Sequence, residues 1–159
     1  MALKGDRDVK FVDISSFMNE VASRGGVASY STVGSGAALD QAQNLVTYAA
    51  NPSGNRPVGL LLSDMVNYDL TSRKPNWYKD EVQIGGKVPL LRKGWVVTNF
   101  IITTLSPSKG DVAILDNSGQ LGLVSLANRP THNTVNKPPV GQWDSAKDED
   151  GYAKVYIDL

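Results

Sequence analysis

The stretch that decides the fold is residues 94–104, which read Gly-Trp-Val-Val-Thr-Asn-Phe-Ile-Ile-Thr-Thr. It is rich in β-branched and aromatic side chains, the residue types that suit a pleated and half-buried backbone. Its most apolar part, residues 95–102, is far shorter than the roughly 20 apolar residues that a membrane span needs. The stretch therefore predicts a β-strand, with Trp95 and Val97 in the core.

The last third of the chain carries the most regular strand signals. In residues 152–159, polar Lys154, Tyr156 and Asp158 alternate with apolar residues, the pattern of a half-buried strand. Residues 111–115 and 120–126 flank Asp-Asn-Ser-Gly, whose turn chemistry predicts a hairpin. A further strand is predicted at 140–143. The remaining predicted core residues are Ile114, Leu123, Val155 and Ile157.

The middle of the chain has the same strand-and-turn character. Residues 51–57 form a dense turn cluster, and residues 58–66 after it predict one strand. Residues 81–84 and 87–91 flank Gly85-Gly86, which predicts a tight hairpin. Many short strands with frequent turns indicate an all-β protein, a small antiparallel β-barrel or sandwich formed by residues 26–159 as a single β-domain.

Residues 1–25 differ from the rest and are predicted to form an N-terminal arm, irregular or a short helix. Ile14, Phe17, Met18 and Val21 have the spacing of an amphipathic helix, and Gly25-Gly26 would end it. An extended conformation around Val9 and Phe11 is the alternative. The segment has no apolar run of the kind found in a secretory signal, so we expect assembly in the cytoplasm.

Composition excludes several classes of function. The chain of 159 residues has no cysteine and one histidine, His132, which excludes disulfides, thiolate metal sites and a His-His site within one chain. Sixteen basic and sixteen acidic residues give a net charge of zero, so no global positive field attracts nucleic acid. We expect no enzymatic activity, no metal, no cofactor, no nucleic-acid partner and no membrane partner.

Three local motifs have simpler structural interpretations. Residues 34–36, Gly-Ser-Gly, begin like a dinucleotide fingerprint, but no βαβ pattern follows. Residues 148–151, Asp-Glu-Asp-Gly, suggest a calcium loop, but Ala146 occupies the first ligand position, which favours a solvated turn. His132 lies in a loop rich in Pro and Asn, where nothing places a nucleophile beside it.

An aromatic pair stands out on a long polar connection. Trp77 and Tyr78 are preceded by Lys-Pro-Asn and followed by Lys-Asp. An exposed aromatic pair in such a setting favours a protein contact, with a sugar-stacking platform and simple core packing as the alternatives.

Several stretches together resemble the head decoration proteins of tailed bacteriophages. A Gly-Asp strand entry, a Val-Gly strand and a terminal Gly-Tyr-x-x-Val strand recur in that family and occur here at residues 110–111, 140–141 and 151–155. The other similar stretches are residues 58–66, 80–88 and 91–98. The resemblance covers residues 55–159 and implies a small β-barrel that caps a capsid, with no catalytic or cofactor residues.

The resemblance implies a structural virion protein that binds the outer surface of an icosahedral phage capsid and stabilises it. Its expected partner is the major capsid protein, and its expected location is the capsid exterior. A homo-oligomer is expected, with a trimer favoured because three capsid subunits meet at three-fold positions. The predicted contact residues are Phe11, Phe17, Trp77 and Tyr78. A carbohydrate-binding β-module is the alternative function.

Overall fold

A computed structural model describes residues 2–31, 44–67, 81–125 and 137–159. Within these ranges the chain forms twelve β-strands and a short 3₁₀ turn at Asn117–Gly119. The strands are β1 (Leu3–Asp13), β2 (Phe17–Met18), β3 (Val27–Tyr30), β4 (Leu45–Thr47), β5 (Pro57–Leu61), β6 (Asp64–Val66), β7 (Glu81–Gln83), β8 (Leu90–Thr98), β9 (Val112–Leu115), β10 (Leu121–Val124), β11 (Pro139–Trp143) and β12 (Ala153–Asp158). The predicted all-β class is confirmed. In the described ranges no helix is long and apolar enough to cross a membrane.

Strand β8 organises the sheet. β1 pairs antiparallel along one edge of β8, and the opposite edge is shared by β5 and β12. β12 pairs with residues 93–98, whereas β5 pairs with Leu90 and Leu91. The strand order is therefore β10-β9-β11-β12-β8 in one half and β8-β5-β3-β4-β2 in the other. The arrangement is sandwich-like rather than a closed barrel, which decides between the two predicted architectures.

Two hydrophobic cores lie on opposite faces of β3 and β5. Val27 and Leu60 belong to the core built around Trp143, whereas the next residues along each strand, Ala28 and Leu61, belong to the second core. Successive side chains on a strand point to opposite faces, so both faces of these two strands are buried. This explains why β5 is apolar throughout, without polar alternation.

Only residues 94–98 of the deciding stretch belong to a strand; residues 99–104 do not continue it, and the outward residues of the strand were predicted wrongly. β8 ends at Thr98, and Val96 and Thr98 are buried. Trp95 and Val97 alternate with them and are half-buried, so they are not part of the core. Leu123 is half-buried and packs against the first core. The other three predicted core residues are buried: Ile114, Val155 and Ile157.

The N-terminal segment is not helical. Residues Leu3–Asp13 form the eleven-residue strand β1, whose pairing with β8 runs from Leu3 to Asp13. The helical spacing of Ile14, Phe17, Met18 and Val21 is overridden by sheet pairing, because Phe17 and Met18 form β2 beside β4. Pairing with a distant strand leaves no periodic signal in the local sequence.

The predicted hairpin at Gly85-Gly86 is also wrong. β7, the strand before these glycines, pairs parallel with β6 in a separate two-stranded sheet. Gly85 has φ +80° and lies in a turn. Its amide donates a hydrogen bond to the carbonyl of Met18 at 2.7 Å. The turn therefore leads the chain from the small sheet into β8 instead of folding it back on β7. The single strand predicted at 58–66 is divided into β5 and β6.

The strands predicted in the last third are confirmed. β9 and β10 form the predicted antiparallel hairpin, and β11 and β12 pair antiparallel in the same sheet. Ala153, Val155 and Ile157 are buried and alternate with more exposed residues, as the sequence pattern predicts.

Candidate interaction surface

The exposed apolar side chains are concentrated near the N-terminus. Six large hydrophobic residues are exposed in the described part of the chain, and four of them lie in the segment 9–21. They are Val9, Phe11, Ile14 and Val21, with exposed fractions of 40%, 56%, 63% and 67%. Four exposed apolar side chains within one short segment make it the candidate interaction site of the described residues. Residues 9–21 are called the N-terminal apolar segment below.

Phe11 is displayed at an irregularity of β1. Val9 pairs with Gly94 and Phe11 pairs with Lys93, so Lys10 is an extra residue on β1. Such a bulge bends its strand and redirects the side chains beside it. In this way the backbone of β1 and β8 sets the direction in which Phe11 is presented.

The N-terminal apolar segment is joined to a firmly anchored strand. The carbonyl of Ala2 accepts hydrogen bonds from the amide of Asn99 and the hydroxyl of Thr98, both at 2.9 Å. Leu3 is buried in the first core, and Met18, at the other end, is buried in the second. Val9, Phe11 and Ile14 lie between these two buried residues in the chain and are therefore held between two fixed points.

Asp13 fixes the end of β1. Its carboxylate accepts hydrogen bonds from the amide of Ser15 at 2.8 Å and from the hydroxyl of Ser15 at 2.6 Å. It also forms an ion pair with Arg92, whose Nη2 lies 3.2 Å away. The hydrogen bond from the Ser15 hydroxyl is the main cause that lowers the pKa of Asp13, and the charge of Arg92 acts in the same direction.

Lysines cover the aromatic rings on the outer face of β8 and β12. The Nζ atom of Lys154 lies 3.9 Å from the centre of the Trp95 ring, and that of Lys10 lies 5.8 Å from the centre of the Tyr156 ring. Lys93 is paired with Asp158 at 3.1 Å. Because the Trp95 ring already stacks under a cation, it is not an open platform for a sugar.

The predicted contact residues are not all brought together. Phe17 lies on β2 and is half-buried, with Nζ of Lys87 5.8 Å from its ring centre. Phe11 lies on β1, next to β8, so the two phenylalanines belong to different parts of the sheet. Trp77 and Tyr78 lie outside the described residues, as do His132 and the Gly-Ser-Gly at 34–36.

The acidic turn at 148–151 is held by hydrogen bonds within the protein. The Asp148 carboxylate accepts from the amides of Asp150 and Tyr152, at 3.1 and 2.7 Å, and from Nζ of Lys4 at 2.8 Å. The hydrogen bond from Lys4 lowers the pKa of Asp148. Among the described residues, no group of three or more potential ligands is placed to hold a metal ion.

One cleft has no signal in the sequence. Arg56 and Arg92 line it together with Tyr30, Pro138 and Pro139. These residues come from four separate strands and connections, and no motif joins them in the sequence. Only the pairing of β5 with both β3 and β8 brings the two arginines together.

Fold and surface together define a class: an all-β, sandwich-like protein with an anchored N-terminal strand and an apolar segment exposed beside it. No protein-family profile matches the chain, and no curated protein sequence is significantly similar to it.

Proposed function

We propose that the chain is a structural virion protein that binds the outer surface of an icosahedral phage capsid and stabilises it. The observation that carries the proposal is the N-terminal apolar segment, where Phe11 and Ile14 are more than half exposed. A monomer gains nothing from displaying such side chains to water, whereas a docking partner would bury them. The resemblance of residues 55–159 to capsid decoration proteins supports the same function.

Phe11 is the residue best placed for this contact. It is a large aromatic side chain on an ordered strand, so little conformational freedom is lost when it is buried. Burial of one aromatic anchor at the centre of an interface contributes about 2 kcal/mol or more. Phe17 is proposed as a lesser contact, because it is already half-buried within the chain. Trp77 and Tyr78 remain predicted contacts.

The partner is proposed to be the major capsid protein, bound at the three-fold positions by a trimer of this chain. Rotational closure satisfies the contacts of each protomer without forming an open filament. Three weak contacts in one trimer act at high effective concentration, so each of them need not be tight. A net charge of zero predicts that salt has only a modest effect on binding.

A carbohydrate-binding module remains the alternative function. Stacking on a sugar needs an exposed aromatic face. Trp143 is fully buried and the ring of Trp95 lies under Lys154. Of the three tryptophans, only Trp77 is left for this role, with Tyr78 beside it in the sequence. Calorimetry with glycans distinguishes it from capsid binding.

Co-sedimentation with empty shells assembled from the major capsid protein tests the proposed function. Removal of residues 1–20 is unsuitable, because it would also remove the buried Leu3 and Met18.

We expect the double variant Phe11→Asp with Ile14→Asp to fold and to lose shell binding, because charged groups would be buried at the contact. The matched control adds the same two charges at exposed positions after β8, Thr103→Asp with Thr104→Asp, and should bind as the parent does. Equal binding by both double variants would contradict the assigned contact, and no binding by the parent would contradict the function.

A further inference from the structure

A cleft of about 440 Å³ opens where β3, β5, β8 and β11 approach one another. Arg56, immediately before β5, and Arg92, within β8, line it. Tyr30 and the consecutive prolines Pro138 and Pro139 form much of the remaining wall. Two guanidinium groups therefore share one concave space whose other walls are mainly apolar, the usual make-up of a small-ligand site.

The two arginines of this cleft differ in how their guanidinium groups are paired. Asp13 contacts Arg92 through Nη2, but Nε of Arg92 is buried and has no hydrogen-bond partner. Arg56 is exposed and forms no ion pair within the described part of the chain. Arg56 therefore supplies the cleft with guanidinium donors that no acidic side chain in the described part of the chain occupies.

The walls of the cleft are held by backbone hydrogen bonds. The amide of Tyr30 donates to the carbonyl of Arg56 at 3.1 Å, and the amide of Leu159 donates to the carbonyl of Arg92 at 2.9 Å. Pro138 accepts from the amide of Leu115 at 2.9 Å. The two arginines are thus attached to fixed strands, so the site exists before a ligand arrives and little ordering is needed on binding.

We propose that this cleft is a binding site for a carboxylate group attached to a small apolar body. A guanidinium offers paired donors that match the two oxygens of a planar carboxylate. Prolines have no N–H, so Pro138 and Pro139 offer apolar surface for the body of the ligand rather than competing donors. Such a carboxylate is carried either by an acidic side chain of a polypeptide or by a free small organic acid.

Titration followed by NMR tests the site, and it does not depend on the proposed capsid function. The probes are propionate, the blocked peptide acetyl-Gly-Asp-Gly-amide and inorganic phosphate, each at constant ionic strength up to roughly 50 mM. We expect saturable shifts of the Arg56 and Arg92 side-chain signals with at least one carboxylate probe. The tighter of the two carboxylate probes identifies the source. In Arg56→Gln the same binding should be about tenfold weaker, since one charge-assisted pair is lost.

Lys109→Gln is the matched control, because it removes one positive charge from an exposed position outside the cleft. It should bind the carboxylate as the parent does. Arg56 is exposed and lies outside the strands, so Arg56→Gln should keep the parent's dispersed spectrum. The proposal is overturned if neither carboxylate saturates, if phosphate alone saturates, or if Lys109→Gln weakens binding as much as Arg56→Gln.

Discussion

Trp143 is the largest fully buried side chain in the described part of the protein. Its indole Nε1 donates to the carbonyl of Gly122 at 3.2 Å, which ties β11 to β10 across the first core. Trp95 has a different environment, half-buried on the outer face under Lys154. The two tryptophans should therefore contribute very differently to stability.

We expect Trp143→Ala to lower the free energy of unfolding by about 3–5 kcal/mol, because it leaves a large cavity in the first core. Trp95→Ala should cost less than about 2 kcal/mol, since that ring is only partly buried and lies outside the core. Urea unfolding of both variants measures the difference. A larger loss for Trp95→Ala would contradict the assignment of inner and outer faces on β8 and β11.

Asp13 gives the stability of the protein a defined dependence on pH. Its pKa in the folded protein is lowered, so the carboxylate stabilises the fold fully above its unfolded pKa of about 3.9. This stabilisation is lost as the pH falls through the lower, folded pKa. Between about pH 5 and pH 2, Asp13→Asn should therefore lose less stability than the parent.

Ser15→Ala is the companion variant, because it removes the hydroxyl that contributes most to lowering the pKa of Asp13. Its free energy of unfolding should change less with pH than that of the parent over the same pH range. Denaturant unfolding at several pH values gives the required free energies. Parallel curves for the parent and Asp13→Asn would show that this carboxylate is not the group responsible.

At the scale of the elements, the sequence predicted those strands whose signal lies in their own residues or in the turn beside them. The β9–β10 hairpin has its turn residues between its strands, and β12 has a clear alternation, so both were predicted correctly. β1 was predicted only as the alternative, an extended conformation around Val9 and Phe11, because its partner β8 lies 77–95 residues away and the nearby helical spacing was the stronger local signal. The hairpin predicted at Gly85-Gly86 is wrong because β7 pairs with β6, and not with the residues that follow the two glycines.

The two candidate surfaces, the N-terminal apolar segment and the cleft, also differ in how far the sequence predicts them. The exposure of Phe11 agrees with the unusual composition of its segment, which the sequence makes visible. The cleft between Arg56 and Arg92 could not be predicted, because it exists only once β3, β5, β8 and β11 are assembled.

Gly94 is the residue on which the pairing of β1 depends. It has φ +142° and faces the β1 bulge so closely that a Cβ atom would collide with the carbonyl oxygen of Asp8. Gly94→Ala should therefore loosen β1 and speed hydrogen exchange of its amides by at least about tenfold. Gly5→Ala is the control on the same strand, since no atom lies within 4 Å of its Cβ position. Protection of β1 that is unchanged in Gly94→Ala would contradict the described pairing.

At the scale of the whole molecule, the two cores share strands β3 and β5, and β8 links the two halves of the sheet. Forces applied at the N-terminal apolar segment therefore reach both cores through β1, β2 and β8. A rigid body with an anchored contact segment is suited to holding neighbouring subunits of a shell together by contact alone. No chemistry at the surface is needed for that role.

The most direct measurement is a cryo-EM reconstruction of empty shells, made from the major capsid protein and incubated with this chain. We expect ordered density on the outer surface at three-fold positions, with the Phe11 end of β1 against the shell. The double variant Phe11→Asp with Ile14→Asp should leave those positions bare. Shells without added density after incubation with the parent chain, or density in which β1 faces away from the shell, would contradict this expectation.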